Sequence, residues 1–243
     1  MNSIKQIEVI YNNRLVGRLA LTREGLCAFE YSAEWLSSGF SISPFELPLR
    51  SGVFIAKPRP FEGGFGVFDD CLPDGWGLLI LDRYLQQKGI NPRTLTLLDR
   101  LALVGSTGRG ALEFRPDNSV VTRQDFADFE KLALEAEKIL ASDDYMGEGI
   151  EEFQDRGGSP GGARPKIFVR YNDKEWLVKF RAKRDSQSIG VDEYRYSLLA
   201  KECGIEMPET RLFEGKYFGV ERFDRTLGGK LHVVSVAGLI GAD

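Results

Sequence analysis

Residues 157–166, Gly-Gly-Ser-Pro-Gly-Gly-Ala-Arg-Pro-Lys, constrain this chain more than any other feature. Four glycines, one hydroxyl and two cations fall within ten residues. An alternating run follows, Ile167-Phe168-Val169-Arg170-Tyr171, then the turn pair Asn172-Asp173, then Trp176-Leu177-Val178-Lys179-Phe180. That order predicts a glycine-rich loop feeding a β-hairpin whose second strand carries a lysine. Glycines let backbone N–H groups approach an anion closely, and a lysine on a neighbouring strand adds a point charge. The chemistry implied is the cradling of nucleotide phosphates. The spacing is that of neither a Walker A loop nor a G-x-G-x-x-G turn. Taken alone, such a loop is as often a plain surface turn.

The order of elements downstream sharpens the reading. Lys179 ends an apolar strand. Residues 192–203 read as a helix, with Asp192 at its N-cap, Glu193 in its first turn and Gly204 just past its end. Two strand-like runs follow, residues 211–213 and 217–221. A glycine loop, a strand with lysine, a helix with glutamate and two more strands form the layout of a protein-kinase N-lobe. There the lysine and the helix glutamate pair around the α- and β-phosphates. On this layout Gly161, Gly162, Ala163, Arg164 and Lys166 belong to the phosphate loop, and Lys179 pairs with Glu193. Glu221, Arg222 and Phe223 form a hinge whose backbone reads the adenine edge. Plainer readings stand beside these. Lys179 is then a surface lysine with a snorkelling stem, Glu193 complements a helix dipole, and residues 221–223 are a charged strand end.

At these residues the sequence resembles the HipA-type serine/threonine kinases of bacterial toxin–antitoxin systems. The Ser-Pro-Gly-Gly-Ala-Arg-Pro-Lys loop, Glu193-Tyr194-Arg195 and Val220-Glu221-Arg222-Phe223-Asp224-Arg225 carry the likeness. Leu72-Pro73-Asp74-Gly75 resembles a second family segment, and Gly110-Ala111-Leu112-Glu113-Phe114 a third. The opening, from Tyr11 to Leu19, is similar to the family's N-terminal couple domain. The resemblance runs along essentially the whole chain. It implies phosphorylation of Ser or Thr on a protein substrate with ATP and Mg²⁺, and a small HipB-like DNA-binding antitoxin as partner. It also implies that Ser159, otherwise a turn residue, is an autophosphorylation site. A doubly charged group there would repel nucleotide phosphates.

Composition sets the bounds. With 243 residues, 42% of them hydrophobic, the chain can bury the core of one large or two small domains. A net charge of −4 argues against direct binding of nucleic acid over a broad surface. Cys27, Cys71 and Cys203 are far apart and match no metal or redox spacing. No apolar run approaches the roughly 18 residues of a membrane span, and the start lacks a signal-peptide pattern. The expected compartment is the cytoplasm. The lone histidine, His232, is assigned a structural role, Asp74 a turn, and Trp76 a place in the core.

Residues 6–32 read as a β-meander turning at Asn12-Asn13. Helices are expected from Trp76 to Lys88, from Asn91-Pro92 through Leu103, and from a capping box at Thr122 to Ala141. The stretch 143–155 is acidic, contains glycine, reads as non-periodic and leads into the glycine-rich loop. The predicted fold is α+β, divided near residue 120. Residues 1–120 form a small N-terminal domain of β-meander and helices. Residues 121–243 form a kinase-like N-lobe, an antiparallel sheet plus helix, with no C-lobe. A kinase needs one aspartate to orient the substrate hydroxyl and another to hold Mg²⁺. Neither frame follows Glu221, and Asp125-Phe126 is followed by Ala127. No catalytic residue or metal ligand is therefore assigned. The chain is expected to supply nucleotide-binding elements and to be inactive alone. The alternative is a naturally short, non-catalytic subunit that binds and controls a toxin kinase.

Overall fold

The computed structural model describes residues 3–119, 127–157 and 161–242. It is α+β, and its strand pairs are antiparallel. Two compact units interleave along the sequence. One takes Met1–Pro73, Asn91–Val120 and Asp224–Asp243; the other takes Asp74–Ile90 and Val121–Phe223. The chain changes unit after residue 120, and also after residues 73, 90 and 223.

The first unit is built on β1 (Gln6–Tyr11), β2 (Arg14–Leu21), β3 (Cys27–Tyr31), β4 (Val53–Ile55) and β5 (Leu112–Arg115), in the order β4-β3-β2-β1-β5. Asn12 and Asn13 take φ of 45° and 62°, the geometry a two-residue hairpin turn requires, and asparagine tolerates it. Ile7 and Val9 of β1 alternate inward, and a register shift after Val9 lets Ile10 be buried too. Phe29, Phe68 and Phe114 meet in the core, and each contributes about 1.5–3 kcal/mol by burial. The helices are α1 (Ala33–Ser38), α2 (Gly66–Asp69) and, later in the chain, α4 (Leu97–Val104) and α8 (Val236–Ile240). Gly66 and Gly238 bring α2 and α8 into backbone contact that no Cβ would allow. A short ribbon, β10 (Arg225–Thr226) and β11 (Gly229–Lys230), lies on the loop before β5. There Asp224 accepts from Gly110 N–H at 2.8 Å, and Arg225 donates to the carbonyls of Gly108 and Gly110.

The second unit carries α3 (Gly75–Gln87), α5 (Phe129–Ala141), α6 (Gly149–Gly157), α7 (Ile189–Glu202) and a sheet of β6 (Lys166–Tyr171), β7 (Lys174–Lys179), β8 (Thr210–Phe213) and β9 (Tyr217–Glu221). The strand order is β6-β7-β9-β8. Asn172 and Asp173, with φ of 49° and 58°, close the β6–β7 hairpin. The aromatic core joins Trp76 of α3, Phe153 of α6, Phe180 after β7, and Phe129 of α5.

Four expectations need correction. The helix expected through Leu103 is broken: a 3-10 turn over Pro92–Thr94 ends before α4, which has its own capping box of Thr96 and Asp99. The helix expected from Thr122 starts at Phe129, capped by Asp128, and Thr122 lies outside the described residues. The acidic stretch read as non-periodic carries a helix, because Ile150 and Phe153 sit three apart and are both buried, giving α6 its apolar face. Its last residue is Gly157, the first glycine of the rich stretch. Finally, α7 begins four residues earlier than expected, with Ser188 at the N-cap position and Asp192 accepting from Ser188 Oγ at 2.7 Å.

Candidate functional site

Lys179 closes β7. The alternation of that strand sends Trp176 and Val178 into the core and leaves Lys179 on the opposite face, half-buried. Its Nζ donates to Glu193 Oε2 at 2.9 Å and lies 5.2 Å from the centroid of Phe218. Glu193 stands in the second turn of α7, because that helix starts at Ile189. Its other oxygen, Oε1, accepts from Arg164 Nη1. Arg164 Nη2 in turn reaches Asp185 Oδ1 at 3.0 Å. One carboxylate thus joins the strand lysine to the arginine of the glycine loop. A cavity of about 190 Å³ opens beside this pair, with Arg164, Lys179, Glu193, Tyr217 and Phe218 in its wall.

Lys166, directly across the sheet from Lys179, is almost fully buried. Its ammonium donates to the carbonyls of Gly161 and Gly162, the latter at 2.9 Å. Burial pushes its pKa down to about 8, and the neighbouring cations Lys179 and Arg164 add to this against the pull of Asp74 and Glu193. Gly162, at φ +95°, needs the freedom of glycine. Its N–H donates to Asp74 Oδ1 at 2.6 Å, and its carbonyl also accepts from Trp76 N–H at 3.1 Å. Gly75, at φ +44°, lies so close that a Cβ there would stand 2.8 Å from the Gly162 carbonyl and 2.9 Å from Ala163 N. The glycine loop is therefore moored to the first turn of α3.

The structure brings together Gly161, Gly162, Ala163, Arg164, Lys166, Lys179 and Glu193. It sets Glu221, Arg222 and Phe223 apart from the cavity. Glu221 pairs with Trp176 in the sheet, three positions or about 10 Å along β7 from Lys179. Its carboxylate accepts from Lys174 at 2.8 Å. Arg222 is buried, with its guanidinium 4.2 Å from the Phe168 ring and 3.3 Å from Glu175 Oε2. Phe223 is exposed. Ser159 lies outside the described residues. The residue that sequence reasoning missed is Asp74, taken for a simple turn. The usable signal was Gly75, since a glycine opening a helix needs a reason, and here the reason is the backbone of Gly162.

His232 keeps a structural place, its Nε2 2.8 Å from Ile42 O and its pKa lowered by burial. Among the described residues no group of three or more His, Cys, Asp or Glu side chains is placed to hold a metal ion. Nor is any helix among them long and apolar enough to cross a membrane.

Two family models match the sequence. The HipA N-terminal domain matches residues 7–115, and the HipA-like C-terminal domain matches residues 158–243. No individual curated protein gave a significant match. The N-terminal match precedes the C-terminal one, and together they cover all but residues 1–6 and 116–157. The chain is therefore a HipA-like protein.

Proposed function

We propose that the second compact unit binds ATP and forms the nucleotide-holding part of a serine/threonine protein kinase. One observation carries the reading: the 2.9 Å contact of Lys179 Nζ with Glu193 Oε2, between the strand that follows a glycine loop and the helix after it. In phosphoryl transfer such a lysine neutralises the α- and β-phosphates, and the glutamate fixes where its ammonium sits. Arg164, Lys166 and the loop amides add positive potential at the same place. ATP would bring Mg²⁺ bound to its phosphates, and the proposal assigns that ion no ligand in this chain. No residue is assigned to orienting the attacking hydroxyl either. Membership of the HipA family supports a toxin–antitoxin setting in the cytoplasm, with a HipB-like DNA-binding antitoxin as partner and a protein as substrate.

Calorimetric titration of ATP into wild type and Lys179→Ala tests the reading. Loss of a charge-assisted hydrogen bond of this kind is worth about 1.5–3 kcal/mol, so affinity should fall roughly 10- to 150-fold. Equal binding by the two proteins would remove Lys179 from the site.

A further inference from the structure

Asp74 occupies the N-cap position of α3, a helix of 13 residues, yet its carboxylate makes no bond to that helix. It is spent instead on the Gly162 amide of the glycine loop, at 2.6 Å. The loop and the helix exchange roles here: the Gly162 carbonyl caps the helix through Trp76 N–H, while the helix's own capping residue serves the loop. The Gly162 N–H is the kind of donor a phosphate oxygen would seek, and it already holds an anion. The cations around it are shared out as well. Arg164 is divided between Glu193 and Asp185, Lys179 is bound to Glu193, and Lys166 feels Asp74 as an attractive charge.

We propose that Asp74 is an affinity-determining residue of the phosphate site: its carboxylate is the resident anion of the glycine loop, and a phosphate ligand gains the Gly162 amide only by displacing it. The proposal rests on the nucleotide-binding reading above. Three features make displacement feasible. Asp74 is exposed, so its carboxylate regains water when it swings away. The Gly162 carbonyl keeps two donors, Trp76 N–H and Lys166 Nζ, so the loop stays moored while its N–H changes partner. The close packing of Gly75 on Gly162 and Ala163 belongs to the backbone and does not depend on the Asp74 side chain. A retained carboxylate would face the incoming phosphate charge across a few ångströms, and two anions cannot share one N–H.

The test compares the 243-residue chain with Asp74→Asn and Asp74→Ala, using ATP and inorganic pyrophosphate as probes. Asparagine keeps an acceptor for Gly162 and removes only the charge, so it guards against a folding defect in the alanine variant. Affinity is read by calorimetry and the Gly162 amide by ¹H–¹⁵N resonance. Asp74→Asn should bind both probes roughly three- to tenfold more tightly than wild type, the effect of one unit charge at short range in a solvated site. In wild type the Gly162 resonance should move on binding. If ATP binds all three proteins alike, or binds wild type without moving Gly162, Asp74 is a mere anchor and the proposal is overturned while the nucleotide reading stands. If ATP binds none of them but pyrophosphate moves Gly162 more readily in Asp74→Asn, the resident-anion assignment holds and the nucleotide reading fails. If neither probe binds any form, both are overturned.

Discussion

Glu193 is one carboxylate between two cations, and that arrangement predicts an asymmetry between mutants. Replacing Lys179 with Met leaves Glu193 still held by Arg164. Replacing Glu193 with Gln leaves Lys179 without its carboxylate, keeps Arg164 on Asp185 alone, and sets three cations, Arg164, Lys166 and Lys179, against one another. Two unit charges 4 Å apart attract by about 4 kcal/mol at an effective dielectric of 20, but desolvation and side-chain ordering offset most of this. The Lys179 side chain is 32% exposed and that of Glu193 19%, so the pair lies between the surface and the interior. Lys179→Met should therefore cost about 1 kcal/mol, and Glu193→Gln about 2–3 kcal/mol. The double variant should cost about 2 kcal/mol, less than the sum, since the lysine that loses its partner is gone; the coupling is about 1–2 kcal/mol. Urea unfolding followed by tryptophan fluorescence can measure all four corners of the cycle. Trp76 and Trp176 are buried in the same compact unit as the pair and report on it directly. Strict additivity, or a Lys179→Met cost equal to that of Glu193→Gln, would refute the shared-carboxylate reasoning.

Two further outcomes follow from burial. Lys166, with its pKa brought down to about 8 from an ordinary 10.5, releases its proton earlier in the folded chain than in the unfolded one, so stability should rise with pH between about 8 and 10.5; this limb should vanish in Lys166→Met, and ¹³C resonances of the methylated lysine should show a midpoint near 8 that an unshifted titration would contradict. In the folded protein only Cys203 should react promptly with a thiol reagent, because Cys27 and Cys71 are buried and their pKa values are pushed up to about 11 and about 12; rapid modification of all three would show that the first unit opens readily.

Much of this could be read from the sequence where the rule is local. Asn12-Asn13 and Asn172-Asp173 announced their hairpins because few residues accept two successive left-handed conformations. The contact of Lys179 with Glu193 followed from the order of elements, even though the start of the helix was misplaced. Asp192 looks like a cap because it is an acid before a helical pattern, but the chain turns at Ser188, whose side chain caps no helix amide and bonds to Asp192 instead. The helix α6 was hidden by its charge: only Ile150 and Phe153 betray an apolar face among the acids. The mooring of the glycine loop was beyond local reading, since Asp74 and Gly162 are 88 residues apart and neither residue signals the other.

The interleaving of the two units has a consequence for how the chain is made. A ribosome delivers residues 1–120 first, and such stretches commonly fold as they emerge. Here the first unit is still missing its last part at that stage. The amide of Gly110 waits for Asp224, 114 residues later, and Asp70 waits for the Ser235 amide, 165 residues later. Meanwhile α3 has already emerged within the early sequence but belongs with strands not yet synthesised. Each unit therefore holds an open seat until residues beyond 220 are available, and the ends of a loop of more than a hundred residues must meet before the first unit is complete. Nascent chains halted at residue 120 should be protease-sensitive, and a protein severed there should recover only when both pieces are present together. What looks along the sequence like two domains in tandem is, in the order of its assembly, a pair of units that both close late.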